Sequence, residues 1–290
     1  MRGLIRAVRM MPGLLLVLLG LLSGLVQAAG RLPPEELPVI AIIIDDMGNH
    51  MGWGERALNI PGQVTYAFLP HTPHAARLAS KAHDLGKEVM LHLPMESHGD
   101  NKLGPGALTL HLTEDEFKRT LQDSLNAIPY AVGLNNHMGS LLTQHPGAMA
   151  WLMEGVQERG GLFFVDSRTT RDSVGQYIAQ EHGIPNASRD VFLDNNRDHD
   201  AIRLQFLQLI KRAHKKGYAV GIGHPYPETS KVLRQLLADP EKLGVRLIPA
   251  SAMIVLQGRN NPWQEPSSPS PRVAKNSKRL LSLTCCEEQE

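Results

Sequence analysis

Between residues 39 and 248 the chain repeats one unit, a short aliphatic run followed by a helical stretch, seven or eight times in strict alternation. The runs lie at residues 39–44, 64–69, 88–93, 131–134, 162–165, 190–193, 218–222 and 245–248. Helical patterns fill the intervals at about 55–58, 72–85, 113–127, 146–159, 174–181, 200–216 and 229–238. Strands that alternate with helices pair in parallel through helical crossovers, which leaves a doubly wound sheet or a (β/α) barrel. The number of units, and a first turn without G-x-G-x-x-G, favour an irregular (β/α) barrel of seven or eight parallel strands. In a barrel every strand ends on the same face, so polar residues that follow the runs converge there.

Several helix boundaries carry their own signals. Thr113-Glu114-Asp115-Glu116 reads as a capping box, Thr72 with Pro73 as a helix start, and Gly160-Gly161 as a stop. In the helix predicted over 200–216, Leu204, Leu207 and Ile210 are expected on the apolar face and Lys211, Arg212 and Lys215 away from it.

The first run, VIAIII, leads directly into Asp45 and Asp46. Adjacent carboxylates at the mouth of a buried strand are costly unless they meet a cation or move protons. One held by a metal and the other left free make a ligand and a general base from neighbours. Later runs end in matching chemistry. His92 and Glu96 in HLPMES offer an imidazole and a carboxylate that reach one divalent ion if the chain turns there; a hydrogen-bonded core histidine is the alternative. His137 follows the fourth run in NNHMGS, where Asn135 and Asn136 can donate hydrogen bonds beside a metal or simply shape a turn. His224 in GIGHP has an ordinary pKa suited to a general acid. Asp166 and Asp194 end the fifth and sixth runs, placed to orient a histidine or a substrate hydroxyl, or to cap a turn. Trp53, in the loop after the Asp pair, is a candidate for stacking on a sugar face or for packing that loop.

The compartment is read from the N-terminus. Arg2, Arg6 and Arg9 precede an apolar run at residues 14–22, and Val26-Gln27-Ala28 offers a small-x-small cleavage site. The expectation is a signal peptide over 1–28, a connector over 29–37, the barrel over 38–256 and a disordered Pro/Ser-rich tail over 257–290. The mature protein is then periplasmic or secreted, with no membrane span. A formal charge of +1 gives no basic field for nucleic acid. The only cysteines, Cys285 and Cys286, are neighbours in the tail and cannot staple the core.

Taken in order, strand-Asp-Asp-x-Gly, VTYAFLP, GKEVMLHLPME, the motif after the fourth strand and strand-Gly-His-Pro resemble the divergent polysaccharide deacetylase family, relatives of the NodB-type carbohydrate esterases, over roughly 38–251. The resemblance implies a distorted (β/α) barrel and a divalent metal, with zinc expected. It implies a hydrolase removing acetyl groups from an N- or O-acetylated glycan such as peptidoglycan or an exopolysaccharide. By position Asp45 matches the catalytic base, Asp46 and His92 metal ligands, and His224 the acid. The chain departs from the pattern where the second metal histidine would stand, which is Glu96, and where an arginine usually follows the fourth strand, which reads Asn136-His137-Met138-Gly139. It also has Met47 between the second Asp and Gly48. His137 is a replacement ligand in that reading. These departures give the alternative of a catalytically silent carbohydrate-binding or envelope-assembly factor on the same scaffold; a metal-dependent peptide amidase is a third possibility.

Overall fold

The computed structural model describes residues 37–99 and 101–260. The expected signal peptide, nearly all of the expected connector, most of the expected tail and both cysteines therefore lie outside the described residues. Among the described residues no helix is long and apolar enough to cross a membrane.

Among the described residues nine parallel strands form one sheet: β1 (Val39–Met47), β2 (Thr65–Phe68), β3 (Glu88–Met95), β4 (Ala131–Met138), β5 (Phe163–Asp166), β6 (Asn186–Ser188), β7 (Val191–Phe192), β8 (Tyr218–Gly223) and β9 (Arg246–Leu247). The spatial order is β6-β5-β4-β3-β2-β1-β8-β7, with β9 added beside the start of β1. The two ends of that path, β6 and β7, are consecutive in sequence and joined by Arg189 and Asp190 alone. The chain itself thus closes the circuit where no strand ladder does, which makes the expected irregular barrel. Sequence pattern predicted one strand over 190–193, which contains β7; β6, in the polar stretch Asn186-Ala187-Ser188, was not predicted.

Among the described residues eight α-helices surround or plug the sheet: α1 (Met51–Leu58), α2 (Ala75–Asp84), α3 (Glu114–Ala127), α4 (Pro146–Arg159), α5 (Gly175–Glu181), α6 (His199–Lys216), α7 (Pro227–Leu236) and α8 (Ala250–Asn260). The capping box at Thr113 forms as expected, with Glu116 Oε2 accepting the Thr113 N–H at 2.9 Å. α1 begins at Met51, several residues before its expected start, and takes in Gly52 and Gly54, which read as loop. A Cβ on Gly54 would meet Leu78 Cδ1 of α2 at 2.5 Å, so the glycine permits close helix packing. Thr72 does not cap α2. Its hydroxyl donates to Leu69 O, and the helix starts after His74. In α6 the buried face is Ile202, Phe206, Leu209 and Ala213, whereas Leu204 and Leu207 are exposed at 61% and 54%. This corrects the expected face: the i, i+4, i+7, i+11 set is the one that meets β8.

Each strand divides the core by its alternation. Ile40, Ile42 and Ile44 point outward to the helices with Tyr66, Leu91 and Phe164. Val39, Ala41 and Ile43 point inward with Met90, Val165, Val220 and Ile222. The inner set is closed at the strands' N-terminal end by α8, through Ala250, Met253 and Ile254. Ser251 N–H, in the first turn of α8, donates to Glu88 Oε1 at 3.2 Å, a carboxylate at a helix N-terminus. α8 was absent from the predicted elements and runs past the barrel boundary placed at residue 256. With one mouth plugged, inward side chains at the other mouth form the site.

Candidate active site

Carrying the inward rows one step past the apolar residues gives the site. Asp45 continues the row 39, 41, 43, and His92 continues Met90. Asn135 and His137 continue β4, and His224 continues Val220 and Ile222. The strands keep pairing into these polar residues: His92 lies opposite Asn135, and Pro94 opposite His137. Sequence pattern included His92 in the third strand but ended the fourth at Leu134 and so missed its extension through Asn135 and His137.

Asp46 needs a different explanation, because its neighbour already points inward. Ile44 pairs with Tyr66 and Met47 with Phe68, so Asp45 and Asp46 together oppose Ala67 alone. This is a β-bulge, which re-aims a side chain at the cost of one ladder step. Asp46 has φ 55°, a left-handed conformation that aspartate tolerates better than most residues. Both carboxylates thereby reach the same chamber.

Asp46 Oδ1 lies 2.9 Å from His137 Nδ1 and 3.1 Å from His92 Nε2, and the two ring nitrogens are 3.1 Å apart. Among the described residues these three form the one cluster with spacing fit for a metal ion. The chemistry fits too: Asp46 Oδ1 is buried with no hydrogen-bond donor in proper geometry. One carboxylate and two imidazoles are a donor set for zinc and similar divalent ions. Burial alone would raise the Asp46 pKa, but the contacts with His137 and His92 outweigh it and hold the carboxyl well below its ordinary range.

Asp45 is 3% exposed. Burial raises its pKa, against the pull of His92, His224 and the Asn135 hydrogen bond. That direction suits a base that must hold a proton transiently near neutral pH. His224 Nε2 stands 3.8 Å from Asp46 Oδ2. Its Nδ1 donates to Asp194 Oδ1 at 2.9 Å, which leaves Nε2 turned to the chamber. Burial works to lower the His224 pKa, but the Asp194 hydrogen bond and charge, with Asp46 and Asp45, push it up to about 9.

The structure places the other expected residues elsewhere. Glu96 is outside the cluster: its Oε2 accepts the Leu110 N–H at 2.7 Å, and its backbone bonds Leu108, Leu141 and Leu142. β3 runs on to Met95, and Glu96 is held by the 108–110 segment rather than turned back toward His92. Asp166, expected at the substrate, is fully buried and accepts from Arg168 N, Ser173 Oγ and Gln176 N, organising the loop after β5. Of the roles expected for Asp194, the structure shows the bond to a histidine and not contact with a substrate: its side chain is 0% exposed, and Oδ2 takes the His224 N–H and the Thr229 hydroxyl, each at 2.7 Å. Asn136 spends its amide on Met138 O and Ser167 N. Trp53 does border the site, lining a cavity of about 220 Å³ with Asp46, His50, Pro225 and Tyr226.

Residues not expected from sequence complete the surround. His224 lies between Phe192 and Tyr226, with ring centroids 5.3 and 5.4 Å away. Arg189 covers Phe192 and donates from Nε to Ser167 O at 2.6 Å. Tyr226, two residues after His224, was within reach of motif reading; Arg189 was not, because it follows no aliphatic run.

The barrel mouth thus holds a buried carboxylate, an Asp/His/His cluster and an Asp-oriented histidine. The family model described as divergent polysaccharide deacetylase matches residues 42–254, and the chain belongs to that family. It is 35% identical over 242 residues to YibQ of Escherichia coli K12, described as uncharacterized, covering 83% of this chain and 73% of that one. An uncharacterized Haemophilus influenzae protein is 34% identical over 225 residues, 78% of this chain and 76% of its own. In fold the chain is similar to the crystal structure of the uncharacterized protein ATU2773 from Agrobacterium tumefaciens C58. The TM-score is 0.73 at 23% identity, over 78% of this chain and 93% of that one.

Proposed function

We propose that the protein is a metal-dependent hydrolase that removes acetyl groups from an N- or O-acetylated envelope polysaccharide. The observation that carries this is the placement of Asp45, the Asp46/His92/His137 cluster and His224 around one chamber. Asp46, His92 and His137 would hold the cation, with zinc the ion favoured by one oxygen and two nitrogen donors. Such an ion supplies positive charge that polarises a carbonyl and acidifies water.

The remaining steps belong to the chain's own residues. Asp45 takes a proton from the attacking water, whose oxygen bonds to the acetyl carbon. His224 Nε2 gives a proton to the departing amine nitrogen or sugar oxygen as the acyl bond breaks, releasing acetate. Asp194 holds His224 in the tautomer and direction this requires. Trp53, at the wall of the cavity beside Asp46, is the surface proposed to pack against a sugar ring. Export is part of the same proposal and rests on the Arg-rich, apolar and small-x-small order of residues 1–28.

The test is acetate release from N-acetylated chito-oligosaccharides and O-acetylated xylan by zinc-loaded protein, beside Asp45→Asn. Loss of at least about 10²-fold in kcat with zinc binding kept is the expected result. Undiminished turnover by the variant, or by protein stripped of metal, would overturn the reading.

A further inference from the structure

Asn135 lies on the inward row of β4, wholly buried and opposite His92 in the β3–β4 ladder. Its Oδ1 is 2.8 Å from His92 Nδ1. Its Nδ2 donates to Asp45 Oδ1 at 2.8 Å and to Ser167 Oγ at 3.2 Å. Ser167 is itself fixed, since its N–H donates to Asn136 Oδ1 at 2.8 Å.

These contacts leave the amide one orientation. An ionised carboxylate offers lone pairs and no hydrogen, so the amino end must face Asp45. The reverse orientation would press Oδ1 against a carboxylate oxygen. With the amino end committed, Oδ1 is what remains for His92, and it can only accept. His92 must then carry its hydrogen on Nδ1, which puts the free lone pair on Nε2. Nε2 is the atom 3.1 Å from Asp46 Oδ1 and 3.1 Å from His137 Nδ1.

We propose that Asn135 is a positioning residue that ties the base to the cation site: by donating to Asp45 it is obliged to accept from His92, and so fixes the tautomer in which His92 can bind a metal. The side chain stands between the two functions that hydrolysis needs and serves both with one planar group. Aspartate at 135 would still accept from His92, but two buried carboxyls at this distance share one proton, so Asp45 would no longer be a free base. Alanine would neither accept from His92 nor donate to Asp45. The catalytic half of this inference rests on the proposed function; the tautomer half does not.

The experiment compares wild type, Asn135→Asp and Asn135→Ala by zinc competition titration, by NMR of histidine ring N–H protons in the zinc-loaded protein, and by acetate release from an N-acetylated chito-oligosaccharide. In Asn135→Ala zinc affinity falls by roughly 10- to 100-fold and the protected Nδ1 proton of His92 disappears. In the near-isosteric Asn135→Asp zinc affinity and that proton persist, while kcat drops by about 10²-fold with KM little changed. Asn135→Ala with zinc affinity and the Nδ1 proton intact overturns the tautomer role. Asn135→Asp with full turnover overturns the link to the base. A wild type that releases no acetate defeats the functional reading instead, and the titration and NMR, which need no substrate, still decide the role of Asn135.

Discussion

Replacing Asp194 by asparagine changes one atom of a residue that touches no substrate, yet the structure assigns it a large effect. The carboxylate accepts three hydrogen bonds, from His224 Nδ1, His224 N and the Thr229 hydroxyl. Its bond and charge head the forces that raise the His224 pKa to about 9 against burial. Without them, only Asp46 and Asp45 oppose burial, and the imidazole falls toward its ordinary value of about 6.5. A full return to that value, about 2.5 units, corresponds to roughly 3 kcal/mol. In that limit the protonated fraction at pH 8 drops from about nine-tenths to about three-hundredths, so roughly 30-fold is the ceiling on the loss of protonated His224, the acid of the proposed reaction. The sign follows from the role: an acid is active when protonated, so activity is lost as pH rises through its pKa. A cation at Asp46 cancels the part of the rise due to that carboxylate, so the alkaline limb of the loaded wild type falls between about 6.5 and 9. The variant's limb then lies below the wild type's. The same interaction stabilises the fold. Because the folded pKa is raised, its contribution is complete below about pH 6.5 and is lost as pH climbs through about 9. The assay is kcat/KM for acetate release against pH, with thermal melts on the same samples. An alkaline limb that stays in place in a folded Asp194→Asn protein refutes the assignment of His224 as acid and Asp194 as its orienting partner.

Two further outcomes concern the scaffold. Phe206→Ala removes a ring buried between α6 and the sheet and should cost about 3–5 kcal/mol in denaturant unfolding. Leu207→Ala, on the exposed side of the same helix, should stay within about 0.5 kcal/mol, and equal effects would show that the helix face is misassigned. Gly54→Ala should destabilise by about 1–3 kcal/mol, because its Cβ falls 2.5 Å from Leu78 Cδ1; a neutral melt would mean that Leu78 swings aside freely.

Alternation of strand and helix was legible in the chain because each inward and outward row is filled by aliphatic residues of fixed period. The same patterning concealed the site. β4 reads as ending at Leu134, yet its ladder continues through His137, since a barrel mouth needs inward polar residues where a core needs aliphatic ones. The Asp45-Asp46 pair announced chemistry, but the bulge that turns both into one chamber depends on a two-against-one pairing with β2 that no local signal encodes. His137 was seen as a substitute ligand from its place after the fourth strand. Glu96 was misplaced because its partner, the Leu110 N–H, is supplied by a loop without periodicity. In α6, Leu204 and Leu207 share apolar character with the buried set, and only packing against β8 separates them.

The most direct measurement is the metal content of purified protein by elemental analysis, wild type beside His137→Ala and His92→Ala. About one equivalent of zinc or a similar divalent ion in the wild type, lost in both variants after equal exposure to metal, is the expected result for the Asp46/His92/His137 centre. Metal retained in both variants, or none in the wild type after reconstitution, would contradict it.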